Sequence, residues 1–301
     1  WERRAVRWHA LNRRKRHVLD GRPIPSRNDE YLLYQTIVGL WPGEISGLPM
    51  DEALSSKYRR RLKDYVVKAS REAKVSTSWT TPDESYEQGL VDFIDRIFLP
   101  AENNPFLASV VRFVARIAAA GRANGLGQLV LKSTLPGVPD FYQGSESWDL
   151  SLVDPDNRRP VDFAARQAIL EQLEKGRLAL PKGRLRGEVK LHVMHALLGI
   201  RAKMIELFRD GSYHRLEVHG PMQDKVVAYA RRHNGVEVAV VVSRLVANKL
   251  FAQRGLAWPG GALFRGNWLI GVSSASVKDI LTGKSFSATA ERLFGYTAAE
   301  A

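Results

Sequence analysis

Apolar side chains recur every three to four positions along the first part of the chain, to about Leu135, and at every second position from about Tyr213 onward. The first spacing predicts helices and the second strands. In NDEYLLYQTIVGLWP, Asn28 or Asp29 is the expected cap, Tyr31, Tyr34, Ile37 and Val38 fall at helical spacing, and the helix stops before Pro42. A long helix of alternating charge follows, from Asp51 to about Lys74. In TTPDESYEQGLVDFIDRIFLP, Thr81 is expected to cap, Pro82 to take the first helical position, and Glu84 to complete a capping box.

Another long helix is predicted between Asn104 and Ser133, with a bend or break near Gly121 and Gly125. Pro136 and Gly137 make a turn, after which VPDFY reads as a short buried strand, kept short because Pro139 cannot donate to a ladder. Beyond Pro160, VDFAARQAILEQLEKG predicts an amphipathic helix ending at Gly176, and HVMHALLGIRAKMIELFRDG one ending at Gly211. KVVAYARR, the turn HNG and VEVAVVVSRL then predict a hairpin with a fully buried second strand, and Gly260 to Leu281 carries further short strand signals.

Composition narrows what such a chain does. With 301 residues, 45% of them apolar, it has material for one large domain or two ordinary ones. It has no cysteine, which excludes disulfides, thiolate metal sites and cysteine nucleophiles. No uncharged apolar run reaches the roughly 18 residues of a spanning helix, so no membrane partner is expected. The net charge is +13, and RRAVRWHALNRRKRH, Arg3 to His17, is strongly basic. Without a stacking sheet, recognition helix or zinc pattern it reads as a solvated helix face, and no nucleic-acid partner is expected. The sequence opens at Trp1 without methionine or a signal pattern and reads as a piece of a longer protein.

His192 and His195 stand three apart on one predicted helix, but no acid or third histidine lies at matching spacing, so no metal is expected. No phosphate loop, nucleophile elbow or zinc-protease motif occurs, and no cofactor is expected. The candidate chemistry lies in LPGVPDFYQGSESWDLSLVDPDNRRP, Leu135 to Pro160. Asp140, Glu146, Asp149, Asp154 and Asp156 fall there beside Phe141, Tyr142 and Trp148, with Arg158 and Arg159 following. Carbohydrate sites use this mixture, since aromatic rings cover the apolar face of a sugar and carboxylates accept from its hydroxyls. DPDNRRP reads equally well as an Asx-turn with its own ion pair, and composition leaves both readings open.

LVLKSTLPGVPDFYQGSESWDLSLVDPDNRRPVDF, Leu129 to Phe163, resembles the segment of the maltooligosyltrehalose synthase family, within the α-amylase superfamily (glycoside hydrolase family 13), that covers the eighth barrel strand and the loop after it. RNDEYLLYQTIVGLWP, Arg27 to Pro42, and KASREAKVSTSWTTPDESYE, Lys68 to Glu87, resemble the helical insertion of that family. The hairpin at Lys225 to Leu245 resembles the superfamily's carboxy-terminal β-sandwich. The resemblance implies an α+β chain from the carboxy-terminal portion of such an enzyme. A helical insertion would occupy residues 1–105, the last part of a (β/α)8 barrel 106–210, and an antiparallel β-sandwich 211–301.

The resemblance also implies an enzyme that converts the reducing-end α-1,4 link of a maltooligosaccharide to α,α-1,1, with that sugar and the remainder of the barrel as partners, in the cytoplasm. The family's aspartate nucleophile, glutamate acid/base and His-Asp pair have no matching motif here. No His-Asp dipeptide occurs, and the one Arg-x-Asp, Arg27 to Asp29, opens a predicted helix. No catalytic residue is therefore expected in this chain, and the isolated piece is expected to be inactive. Substrate contact is expected from Tyr142, Gln143, Glu146 and Asp149, and next from Asp154, Asp156, Arg158 and Arg159, for which a structural ion-pair role is favoured. Trp79 and Tyr86 are weaker candidates for lining the cavity. A non-catalytic α-glucan-binding module and a hydrolase of the same superfamily are the alternatives.

Overall fold

The computed structural model describes residues 1–41, 48, 51–100, 102–175, 187–245 and 247–248, and three short strands within 268–287. It divides into two compact units, Trp1–Arg116 with Leu150–Pro160, and Ile117–Asp149 with Val161–Ala301.

The first unit is helical. Helix α1 (Glu2–Asn12) leads to a two-stranded antiparallel ribbon of β1 (His17–Leu19) and β2 (Arg22–Ile24). Its turn places Asp20 and Gly21 at φ +48° and +74°, the left-handed pair that tight hairpins need. Helix α2 (Arg27–Leu40) is capped by Ser26, not by Asn28 or Asp29: Ser26 Oγ accepts the Asp29 N–H at 3.1 Å and donates to the Asp29 carboxylate at 2.8 Å. Helix α3 (Glu52–Ala73) starts and stops as expected, with Asp51 accepting the Leu54 N–H and Lys74 in the left-handed conformation.

Helix α4 (Glu84–Phe98) begins two residues later than the Thr81–Pro82 signal. Side-chain hydroxyls take the preceding backbone first: Ser78 Oγ accepts the Thr81 N–H and Thr77 Oγ1 the Asp83 N–H, both at 2.9 Å. Asp83 then caps through the Tyr86 N–H. Helix α5 (Pro105–Thr134) is capped by Asn104, whose side-chain oxygen accepts the N–H groups of Phe106 and Leu107.

Trp8, Ile37, Leu62, Ile94, Ile97, Leu107 and Val110 form the fully buried centre of this unit. Each such side chain contributes about 1.5–3 kcal/mol by leaving water. The polar ends brought in with the aromatics are matched: Trp8 Nε1 donates to Ser109 Oγ at 2.9 Å, and the Tyr58 hydroxyl to the Ile37 carbonyl at 2.6 Å. The Tyr34 hydroxyl donates to Glu30. Burial first, and this hydrogen bond second, push its ionisation far above the ordinary tyrosine range.

Helix α5 runs without a break past Gly121 and Gly125 into the second unit. The reason for Gly125 is packing: a Cβ there would lie 3.2 Å from the Trp148 ring. Helix α6 (Phe163–Glu174) is capped by Asp162, and the predicted stop at Gly176 falls outside the described residues. The expected helix to Gly211 is two, α7 (Gly187–Lys203) and α8 (Ile205–Arg209), because Met204 leaves helical geometry at φ −125°, ψ 48°. That redirection buries Leu207 and Phe208.

A three-stranded antiparallel sheet follows in the order β3 (Ser212–Arg215), β5 (Val226–His233), β6 (Val236–Ser243). Asn234 and Gly235, at φ +47° and +77°, form the predicted hairpin turn. The second hairpin strand is not fully buried. Central β5 is the more buried of the two; β6 buries Val240 and Val242 and exposes Val241, as suits a strand with one described neighbour. Strand β4 (Glu217–His219) pairs with β7 (Trp268–Ile270), and β8 (Ser276–Lys278) with β9 (Ser285–Ser287). The rest of the Gly260 to Leu281 signal lies outside the described residues.

VPDFY, Val138 to Tyr142, forms no strand. Pro139 lacks an N–H, Lys132 Nζ donates to the Asp140 carbonyl at 2.8 Å, and no described strand pairs with the segment. Val138 is 96% exposed. Among the described residues no helix is long and apolar enough to cross a membrane.

Candidate functional site

The eight candidate residues divide between the units. Tyr142, Gln143, Glu146 and Asp149 belong to the second, and Asp154, Asp156, Arg158 and Arg159 to the first.

In the second unit the loop turns on the Ser145 N–H donating to the Tyr142 carbonyl at 3.1 Å, with Gly144 at φ +87°. Two basic residues fix it. Arg166 of α6 reaches the Glu146 carboxylate at 3.1 Å, the Gly144 carbonyl at 3.0 Å and the Asp162 carbonyl at 2.9 Å. Lys190 of α7 donates to the Ser147 carbonyl at 3.0 Å, and its ammonium stands 5.5 Å from the centroid of Trp148. The start of α7 has room for this contact because Gly187 carries no side chain: a Cβ there would fall 2.0 Å from Ser147 Oγ.

Burial lowers the pKa of Lys190, and nearby Lys132 lowers it further against the pull of Asp149 and Glu146. Tyr142, Gln143 and Asp149 are exposed on this anchored loop. The arrangement presents a ring face, an amide and one carboxylate to solvent, groups that stack on a sugar and hydrogen-bond its hydroxyls. Arg166 and Lys190 carried no signal in the sequence, since each stands in an ordinary helical pattern.

In the first unit, Asp156 is the centre of a structural clasp. Arg61 Nε and Nη2 reach its two oxygens at 2.7 and 2.8 Å, the Leu152 N–H reaches it at 2.7 Å, and Arg159 Nε lies 3.3 Å away. Burial pushes the Asp156 pKa up, but the hydrogen bonds from Arg61 and the Leu152 N–H, with the charges of Arg61 and Arg159, outweigh it and hold the carboxyl below its ordinary range. Arg159 also donates to Ser151 Oγ at 2.7 Å. Asp154 pairs with Arg158 on the surface.

Tyr86 is buried and its hydroxyl donates to Asp29. Trp79 is exposed. His195 stands 4.0 Å from Glu174, and among the described residues no group of three histidine, aspartate or glutamate side chains is placed to hold a metal.

No family model matches the chain. It is 36% identical over 222 residues, 74% of its length, to proteins of two Mycobacterium tuberculosis strains assigned as maltooligosyl trehalose synthase. It spans 26% of the length of those relatives. The maltooligosyltrehalose synthase of Arthrobacter ramosus superposes with a TM-score of 0.71 at 32% identity, covering 97% of this chain and 32% of that one. A Sulfolobus tokodaii structure described as a maltooligosyl trehalose synthase gives 0.63 at 29% identity, covering 95% and 32%. Fold and sequence thus relate the chain to proteins named as trehalose synthases. Within that class it belongs with the maltooligosyltrehalose synthases, as part of the larger enzyme.

Proposed function

We propose that the chain is the carboxy-terminal portion of an enzyme that converts the reducing-end α-1,4 link of a maltooligosaccharide to an α,α-1,1 link, making a maltooligosyltrehalose. The observation that supports this most is the Tyr142–Asp149 loop, an exposed ring, amide and carboxylate anchored by Arg166 and Lys190, in a chain that superposes over 97% of its length on a protein of that name. In this reading residues 106–210 complete a catalytic barrel, with a helical insertion before them and a β-sandwich after.

The chemistry is a retaining transfer within one molecule. A carboxylate outside this chain attacks the anomeric carbon while an acid protonates the departing oxygen of the reducing-end glucose. That glucose stays bound, turns, and attacks the glycosyl-enzyme through its own anomeric hydroxyl, whose proton returns to the deprotonated acid, so that the acid is restored and the carboxylate freed. Water must be excluded while it turns, and the anchored loop contributes to that enclosure.

The test is incubation with maltohexaose. The full enzyme is expected to give a non-reducing product of unchanged mass, and the isolated chain none. Release of glucose as the main product of the full enzyme would instead support the hydrolase reading, and turnover by the isolated chain would sink the assignment of the chemistry to residues outside it.

A further inference from the structure

The connection between α3 and α4 presents an aromatic ring that the helical core does not use. Trp79 is 56% exposed, and its indole N–H has no hydrogen-bond partner among the described residues. An indole left in water forfeits apolar burial, so its support is informative.

That support is built in layers. The Arg71 guanidinium lies 4.9 Å from the Trp79 ring centroid. Its Nε and Nη2 are held on the two oxygens of Glu87 at 2.7 and 2.6 Å. Glu87 is 7% exposed and takes a third hydrogen bond, from Thr77 Oγ1 at 2.6 Å. Thr77 in turn accepts the Asp83 N–H, and Ser78 accepts the Thr81 N–H, so the turn carrying Trp79 is fixed on both sides of the ring. A carboxylate is costly to bury, and this one is committed to holding the arginine that backs the indole. Ring and turn are thus ordered before any ligand arrives, which removes most of the side-chain entropy that binding would otherwise cost.

The surroundings select the ligand class. Of the residues around it in sequence, Thr80, Thr81, Asp83 and Glu84 are exposed and polar, and Val75 and Pro82 are the exposed apolar ones beside Trp79 itself, so the connection presents a mostly polar surface. Protein-docking patches run to about several hundred Å² of contiguous apolar surface. A pyranose matches better, with a C–H face for the ring and hydroxyls for the indole N–H and the polar rim.

We propose that Trp79 is a binding platform for one glucose unit of an α-1,4-glucan chain, presented by the Glu87–Arg71 pair. The choice of glucose rests on the function proposed above, whereas the platform rests on the geometry of the first unit. The test is the mobility of the full enzyme, whose chain includes these 301 residues, in native gels containing soluble amylose, for the unsubstituted chain, Trp79→Ala, Trp79→Phe and Tyr142→Ala.

The expected result is retardation of the unsubstituted chain, lost at least tenfold in apparent affinity in Trp79→Ala and partly kept in Trp79→Phe, with the same thermal midpoint in all three. Absence of retardation in the unsubstituted chain, equal retardation in dextran, or undiminished retardation of Trp79→Ala would each overturn the platform. Retardation lost only in Tyr142→Ala would likewise overturn it. Turnover of maltohexaose by the full enzyme, measured separately, shows whether the proposed function has failed as well.

Discussion

Arg61 places two donors on the two carboxylate oxygens of Asp156, at 2.7 and 2.8 Å, across 95 positions of sequence. The pair is largely shielded, with side-chain exposures of 14% and 9%, whereas Asp154 and Arg158 of the same turn stand mostly in water. Removing one partner of a shielded pair leaves an uncompensated charge, at a cost of about 3–5 kcal/mol, while an exposed pair is worth about 0–1 kcal/mol. Arg61→Met is therefore expected to lower stability by about 3 kcal/mol and Arg158→Ala by less than about 1 kcal/mol. Urea unfolding of the two variants checks the difference, and equal midpoints would show that the clasp contributes nothing.

Acid should loosen the first unit through two carboxylates. Hydrogen bonds from Arg71 hold Glu87 below its ordinary pKa despite burial, and Asp156 is likewise held low by Arg61. For a depressed carboxyl the unfolded chain binds the proton more readily. The stabilisation is therefore complete above the ordinary carboxylate range, about pH 4, and is lost as pH falls through the lower folded values. Thermal midpoints measured downward from neutral pH are expected to fall steeply below about pH 4, and Glu87→Gln to flatten that limb. A limb of unchanged steepness in Glu87→Gln would rule out this carboxyl as its source.

Arg231 plays the corresponding part in the second unit without a carboxylate. It is 1% exposed, and its guanidinium donates to the carbonyls of Thr134, Leu207, Phe208, Gly211 and Ser212 at 2.8 to 3.4 Å. Thr134 ends α5 and the next two carbonyls belong to the last turn of α8, where partial negative charge accumulates. Burial, and then the nearby Arg201 charge, lower its pKa. Arg231→Met would leave helix-end carbonyls unpaired in the interior, at roughly 1–3 kcal/mol each where water cannot reach. Arg231→Lys is expected to restore little, since an ammonium has three donors on a single atom and cannot span five oxygens. Both variants should unfold at clearly lower urea concentration, and a lysine variant as stable as the parent would refute this account.

What the sequence made legible follows from how far each interaction reaches along the chain. Helix α3 was readable at both ends because its caps, Asp51 and Lys74, are local, and the β5–β6 turn because Asn234–Gly235 has few alternatives. Helix α4 was misplaced because Thr77 and Ser78 compete for the same backbone donors as the expected Thr81 cap. The strand expected at Val138 to Tyr142 turned on its neighbours, with Lys132 on the Asp140 carbonyl and no described strand alongside, a matter of tertiary placement. The acids of the candidate loop stood out as residue types. Their roles did not, since Arg61 and Arg166 reach Asp156 and Glu146 from separate helices.

The candidate loop gives the last prediction, in the full enzyme acting on maltohexaose. Tyr142 is 46% exposed on a loop held by Arg166 and Lys190, so its ring is available to a sugar without first being extracted from a core. Stacking of one ring contributes on the order of 1 kcal/mol, and a tenfold rate change corresponds to about 1.4 kcal/mol. Tyr142→Ala is expected to lower kcat/KM by about tenfold, and Tyr142→Phe, which keeps the ring face, by less than about threefold. Because the side chain is exposed, neither change should alter the thermal midpoint by more than a degree or two, on the order of 0.5 kcal/mol. If Tyr142→Ala turns over maltohexaose as the unsubstituted enzyme does, the ring does not contact the sugar, and Gln143, Glu146 and Asp149 lose their strongest neighbour as candidates.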